Sequence, residues 1–164
     1  MKLKKQKGVA AVEFALILVP MLILCFGMTE LGRALYYYNG LEKATRGAVR
    51  YLTAQNLASP PTGETAESIR QKAKSLAVCG AEVCAVGAEP LVPGLTLSLV
   101  SICDPVGCAT THSNISTTQG GVNLVSVTIG GTDSAAYKFT SVVPWAVPSF
   151  EFSPVKTTMA SQFF

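Results

Sequence analysis

The sequence predicts an α+β protein in which a long N-terminal helix, its first half in a membrane, leads into a domain with a short helix and a small, mostly antiparallel sheet. Three observations carry that reading. An apolar run from Val9 to Thr29 holds a single charge, Glu13. A helical stripe follows without a break until a Pro60-Pro61 stop. From Leu95 onward the apolar period drops to two and turn residues multiply. The 164 residues suffice for one membrane segment and one modest domain, and 49% hydrophobic against 14% charged residues gives no basis for long disordered tracts.

The first element is a basic head. Of the 13 Lys and Arg, four (Lys2, Lys4, Lys5 and Lys7) precede Gly8, which leaves nine against ten Asp and Glu in the body. A near-neutral body has no electrostatic footprint for nucleic acid.

The apolar run comes next. As a helix, Val9–Thr29 rises about 1.5 Å per residue, or roughly 31 Å, close to the thickness of a bilayer core. Lysines lie before it, and Glu30 and Arg33 just beyond it. The positive-inside bias puts residues 1–7 in the cytoplasm and the chain after about Glu30 outside. Three accounts of the run compete. A cleaved secretory signal needs a small-x-small site, and the nearest, Gly27-Met28-Thr29, lies inside an unbroken helical pattern. Leu22-Ile23-Leu24-Cys25 has bulky Leu24 where a lipoprotein site takes a small residue. A plain signal anchor explains the lysines and the run. It leaves Glu13 without a role, although a carboxylate there costs ~3 kcal/mol on insertion scales.

The third account gives Glu13 one. The order is a lysine-rich head, Gly8, the apolar Val9-Ala10-Ala11-Val12, Glu13, then Phe14. It resembles a class III, type IV pilin-like signal. That resemblance implies a prepilin peptidase that cuts after Gly8 on the cytoplasmic face and removes residues 1–8. Val9 then carries a new positive amine, and Glu13 holds the fifth mature position. Glu13 and Phe14 are the implied assembly residues, with Glu13 neutralising the amine of a neighbouring subunit as helices bundle. In low dielectric each charge is tolerable only when paired. A glycine also leaves the scissile backbone unobstructed.

The helix then leaves the membrane. Leu31, Leu35, Tyr38, Leu41, Ala48 and Leu52 recur at helical steps, while Glu30, Arg33, Asn39, Lys43, Arg46 and Arg50 fall mostly off that stripe. This predicts one continuous helix to about Leu57, with residues 9–29 its membrane half and 30–58 its outer half. Pro20 removes one backbone hydrogen bond and is a potential kink. Tyr36-Tyr37-Tyr38 reads either as an interfacial aromatic anchor or as a domain contact by Tyr38 with the other two rings exposed.

Gly8, the Ala11–Phe14 string, Pro20, Glu30-Leu31-Gly32-Arg33 and the Ala44–Arg50 stretch leading into Tyr51 together resemble the start of TadE-like proteins. These are minor pilins or pseudopilins of the Tad (tight adherence) system that assembles Flp pili. The resemblance covers about the first third of the chain. It implies a structural role in priming, capping or supporting pilus assembly. The partners would be the prepilin peptidase and other Tad/Flp pilins and minor pilins. The protein would sit in the bacterial inner membrane with its C-terminal domain periplasmic, or in an extracellular pilus. The alternative, of another class, is an uncleaved single-pass protein whose outer domain is a partner-binding module. Cleavage after Gly8 separates the two.

Residues 59–164 make the outer domain. Over Gly63–Val78, Ala66, Ile69, Ala73, Leu76 and Ala77 share one face, with Glu64 and Glu67 near the start and Lys72 and Lys74 near the end, as the helix dipole favours. This reads as a short helix covering a sheet. Leu95–Cys103, Val122–Ile129, Ala135–Val142 and Lys156–Phe163 read as strands, with turns at Gly120-Gly121 and Gly130-Gly131.

Five cysteines bear on compartment. Cys25 lies in the apolar run and reads as a packing residue. Cys79-x4-Cys84 and Cys103-x4-Cys108 have borderline zinc spacing. An even count on the oxidising side of a membrane favours disulfides instead. Four cysteines allow three pairings, of which the local one closes two tight loops.

Little else carries chemistry. His112, the only histidine, falls in the Ser/Thr-rich "TTHSNISTT" and reads as solvated; Asp104 and Asp133 read as isolated. Asn114-Ile115-Ser116 matches a glycosylation acceptor, a pattern common by chance. No glycine-rich phosphate loop follows a strand and no nucleophile elbow occurs. The expectation is therefore no enzyme, cofactor, metal or small-molecule substrate.

Overall fold

The computed structural model describes residues 8–118, 120–131 and 134–163. The head lysines and Asp133 lie outside the described residues. A single helix, α1 (Val9–Thr53), runs through Pro20 without interruption. It ends four residues before the expected Leu57. There the Gln55 N–H turns back to the Leu52 carbonyl at 3.1 Å, and Leu57 folds inward to join the core.

The outer half of α1 is the spine of the domain. Its buried face consists of Glu30, Ala34, Leu41, Ala44, Thr45, Ala48, Val49, Leu52 and Thr53. Leu31 and Leu35, read as part of the inner stripe, are 55% and 61% exposed, and Glu30, read as off it, is buried. The face turns toward small residues because the domain approaches the helix closely. At Gly40 an added Cβ would lie 2.7 Å from Val92 Cγ2.

Helix α2 (Ala66–Cys79) begins with a capping box. The Ser68 N–H donates to Thr65 Oγ1 at 3.1 Å and the Thr65 N–H to Ser68 Oγ at 3.0 Å. It ends at Gly80, whose left-handed φ of 75° suits glycine. Ile69, Ala73, Ala77 and Val78 are buried; Leu76 is only half-buried. α2 lies chiefly against α1 and touches the sheet at β1, so it flanks the spine more than it covers the sheet.

The main sheet is antiparallel, in the order β1 (Val100–Cys103), β4 (Leu124–Ile129), β7 (Val155–Ala160). Val125, Val127 and Ile129 of the central strand point into the core that α1 closes. The Thr45 and Thr157 hydroxyls bond across this interface at 2.8 Å. The other predicted strands shrink. Leu97–Leu99 is a 3-10 turn, and only Lys138–Phe139 (β5) of Ala135–Val142 is extended, paired with β6 (Phe150–Glu151). Gly120-Gly121 is not a turn: Gly120–Val122 (β3) pairs with β2 (Ile115–Thr117). Residues Ala109–His112 form one short helical turn, α3.

The domain-contact reading of the tyrosines holds for Tyr38 and needs correction for Tyr37. Tyr37 packs on Phe139 (ring centroids 5.6 Å) and Tyr38 on Phe152 (5.7 Å), so two rings meet the domain. Tyr36 alone stays largely exposed.

Candidate functional site

Among the described residues, the inner half of α1 meets the rest of the chain near its outer end, where Trp145 packs on Phe26, and its side chains are otherwise largely exposed. None of its most apolar window is buried, and by length and composition the helix is able to cross a membrane. Gly8 occupies the N-cap position and is exposed. Val9 and Phe14 are 55% and 66% exposed, and Glu13 projects from the same stretch with no ion pair among the described residues. The Thr29 hydroxyl donates back to the Cys25 and Phe26 carbonyls at 3.2 and 2.9 Å, so its polar group is satisfied within the helix.

A polar joint marks where the bare half meets the clothed half. Glu30 and Arg33 pair at 3.0 Å (Oε2 to Nη2), and Arg33 Nη2 also donates to the Thr140 carbonyl at 2.6 Å. Its guanidinium lies 4.9 Å from the centre of the Phe139 ring and 5.7 Å from that of Tyr37, cation–π geometry. Glu30 Oε2 accepts weakly from the Val142 N–H at 3.4 Å. The loop between β5 and β6 is thus tied to the start of the outer helix. From there it reaches back along the inner half, where Trp145 meets Phe26 edge-on at 5.5 Å. Sequence reasoning passed over this loop. Its signal was a charge-free run with two prolines around the sole tryptophan, Val142-Val143-Pro144-Trp145-Ala146-Val147-Pro148.

The cysteines outside the helix pair locally, Cys79 with Cys84 and Cys103 with Cys108, and Cys25 is free. The second ring is organised by Asp104, which is not isolated. It is fully buried and accepts from Arg70 Nε at 2.7 Å and Nη2 at 3.1 Å. It also accepts from the Val106 and Gly107 N–H groups at 2.9 and 2.8 Å. Burial pushes its carboxyl pKa up, but the Arg70 bond and the two backbone donors outweigh this and hold it below the ordinary value.

His112 is not solvated either. It is buried, with Nε2 at 2.8 Å from Ser126 Oγ and Nδ1 at 2.7 Å from Thr111 Oγ1. Burial, with Lys156 adding to it, pushes its pKa down. Cys103, Cys108 and His112 converge, but the two sulfurs are bonded to each other and both imidazole nitrogens have hydroxyl partners, so the trio does not present free ligands.

Residues 8–50 match the family model described as TadE-like protein. The N-terminal helix is TadE-like. The match ends within α1 and leaves the sheet outside it. Neither a curated protein nor a solved structure matches the chain. The match likens residues 8–50 to proteins of Tad pili.

Proposed function

We propose that this protein is a minor pilin or pseudopilin of a Tad/Flp-type pilus, with a structural part in priming or supporting assembly. Residues 1–8 are the leader, removed by prepilin peptidase after Gly8. Residues 9–29 anchor the protein in the inner membrane, and the rest of α1 carries a periplasmic domain spanning 59–164. Assembly proceeds by lateral packing of N-terminal helices, with Glu13 paired to the Val9 amine of a neighbouring pilin and Phe14 in the same contact.

The observation that supports this reading is the contrast within one helix. The domain buries a face of the outer half, while none of the most apolar window of the inner half is buried and the stretch around Glu13 is exposed. A bare apolar helix needs lipid or other helices around it, and a carboxylate in that setting needs a positive partner. The test is the N-terminal sequence and intact mass of protein taken from cells with an active prepilin peptidase. A chain beginning at Val9 is expected. Retention of Met1 or Lys2 there would overturn the pilin reading in favour of an uncleaved anchor with a partner-binding outer domain.

A further inference from the structure

We infer that the β5–β6 loop is a second membrane contact, which seats Trp145 in the outer edge of the same bilayer that α1 spans. The inference rests on the membrane reading above and adds a lipid-facing site that neither the helix nor the TadE-like match includes. Its basis is position. Trp145 lies against Phe26, four residues before Glu30 and therefore about 6 Å back along the helix axis toward the membrane side. A bilayer has an interfacial layer of roughly that depth on each side of its hydrocarbon core. A helix placed with Glu30–Arg33 at the surface carries Trp145 into that layer.

Chemistry agrees with position. The loop from Thr140 to Ser149 holds no charged residue. Val142 and Trp145 are 70% and 63% exposed, so an apolar surface faces outward beside the bare helix and not into the domain. Its backbone is partly satisfied from within: the Ala146 and Val147 N–H groups both reach the Val143 carbonyl, at 3.0 and 3.1 Å. Pro144 and Pro148 have no N–H to satisfy. Such internal bonding lowers the cost of entering an apolar layer. Tryptophan is enriched at that depth because its ring is amphipathic. The joint at Glu30 and Arg33 holds the loop there from the polar side.

Trp145 is the only tryptophan, so its emission reports this loop alone. The full chain is reconstituted in phosphatidylcholine vesicles. Parallel samples contain lipid brominated near the carbonyl end or near the methyl end of its acyl chains. Retention of the protein after an alkaline carbonate wash reports the spanning helix independently. The expected result is a retained protein whose emission is shifted to the blue, shielded from aqueous acrylamide, and quenched more by the shallow bromine than by the deep one. A retained protein quenched by acrylamide and not by bromine overturns the inference and leaves the spanning helix standing. A blue-shifted emission that neither quencher touches means that protein, not lipid, covers the loop, which also overturns it. Extraction by carbonate removes the spanning reading and the inference together.

Discussion

Replacing Arg33 with Met tests the joint between anchor and domain. Methionine keeps the apolar stem and removes the guanidinium. Four contacts go: the 3.0 Å ion pair to Glu30, the 2.6 Å bond to the Thr140 carbonyl, and the cation over the Phe139 and Tyr37 rings. A hydrogen bond from a charged donor is worth about 1.5–3 kcal/mol. Removing one partner of a buried ion pair costs about 3–5 kcal/mol, mostly because the other is stranded. Here the Glu30 side chain is 7% exposed but that of Arg33 is 28% exposed, so water screens the pair and the low end applies. The contacts share one side chain and do not add. We expect Arg33→Met to destabilise the outer domain by about 3 kcal/mol, close to a hundredfold in its folding equilibrium. Urea unfolding in mild detergent, followed through Trp145 emission, reads this as a lower midpoint at unchanged slope. Because the stranded Glu30 carboxylate dominates the cost, adding Glu30→Gln should recover about 1–2 kcal/mol of it. A variant within about 0.5 kcal/mol of the parent would refute the role assigned to the joint.

Four further outcomes are expected. Asp104→Asn leaves Arg70 with its 3.3 Å ion pair to Glu67 alone and should cost about 2–4 kcal/mol in the same assay, less than a fully enclosed pair because Arg70 is partly exposed. The Asp104 carboxyl is held below its ordinary 3.8, so the unfolded chain binds the proton first; its contribution is complete above that value and fades as pH falls below it, an acid limb that Asp104→Asn should lack. His112 is pushed below its ordinary 6.5, so stability should be flat above 6.5 and decline with falling pH beneath it; His112→Gln should abolish that decline in a pH series of unfolding midpoints. The unreduced, denatured protein should take up one thiol-alkylating label, at Cys25, and five after reduction, as read by mass; each six-residue ring contributes about 2 kcal/mol in the chain-entropy picture. Glu13→Ala should still insert and be cleaved after Gly8 but fail to support piliation or to crosslink with partner pilins, with Glu13→Asp intermediate; stranding a neighbour's buried amine costs about 3–5 kcal/mol. Normal pilus counts from a stable, processed Glu13→Ala protein would remove the pairing role.

Much of the fold was legible because long helices and paired turns leave periodic traces. The apolar run, the outward helix, α2 and the strands now seen as β4 and β7 all declared themselves by spacing. What stayed hidden depended on partners distant in sequence. Asp104 reads as isolated because Arg70 lies 34 residues earlier and its other donors are backbone groups with no side-chain signature. His112 reads as solvated among the hydroxyls next to it in sequence, but its Nε2 partner is Ser126 on the central strand, 14 residues later. The buried face of α1 was misjudged near its exit because hydrophobicity was weighed above size. Leu31 and Leu35 score as core, yet Ala34 and Gly40 are what allow the loops to approach.

That misjudgement bears on how the molecule works. A helix that serves both as the spine of a domain and as a packing element must meet two opposite demands. Its outer half needs a face small enough for the sheet and loops to close on it, and Ala34, Gly40, Ala44 and Ala48 supply that face. Its inner half must stay clear on every side if neighbouring helices are to reach Glu13. The β5–β6 loop crosses the boundary, and its ring contact is at Phe26, thirteen residues above Glu13 or about 20 Å along the axis. The contact therefore leaves uncovered the stretch around Glu13 on which the proposed lateral association depends. Because α1 is one continuous helix whose outer half is the core of the domain, a tilt of the inner half imposed by a neighbouring helix would carry the domain with it.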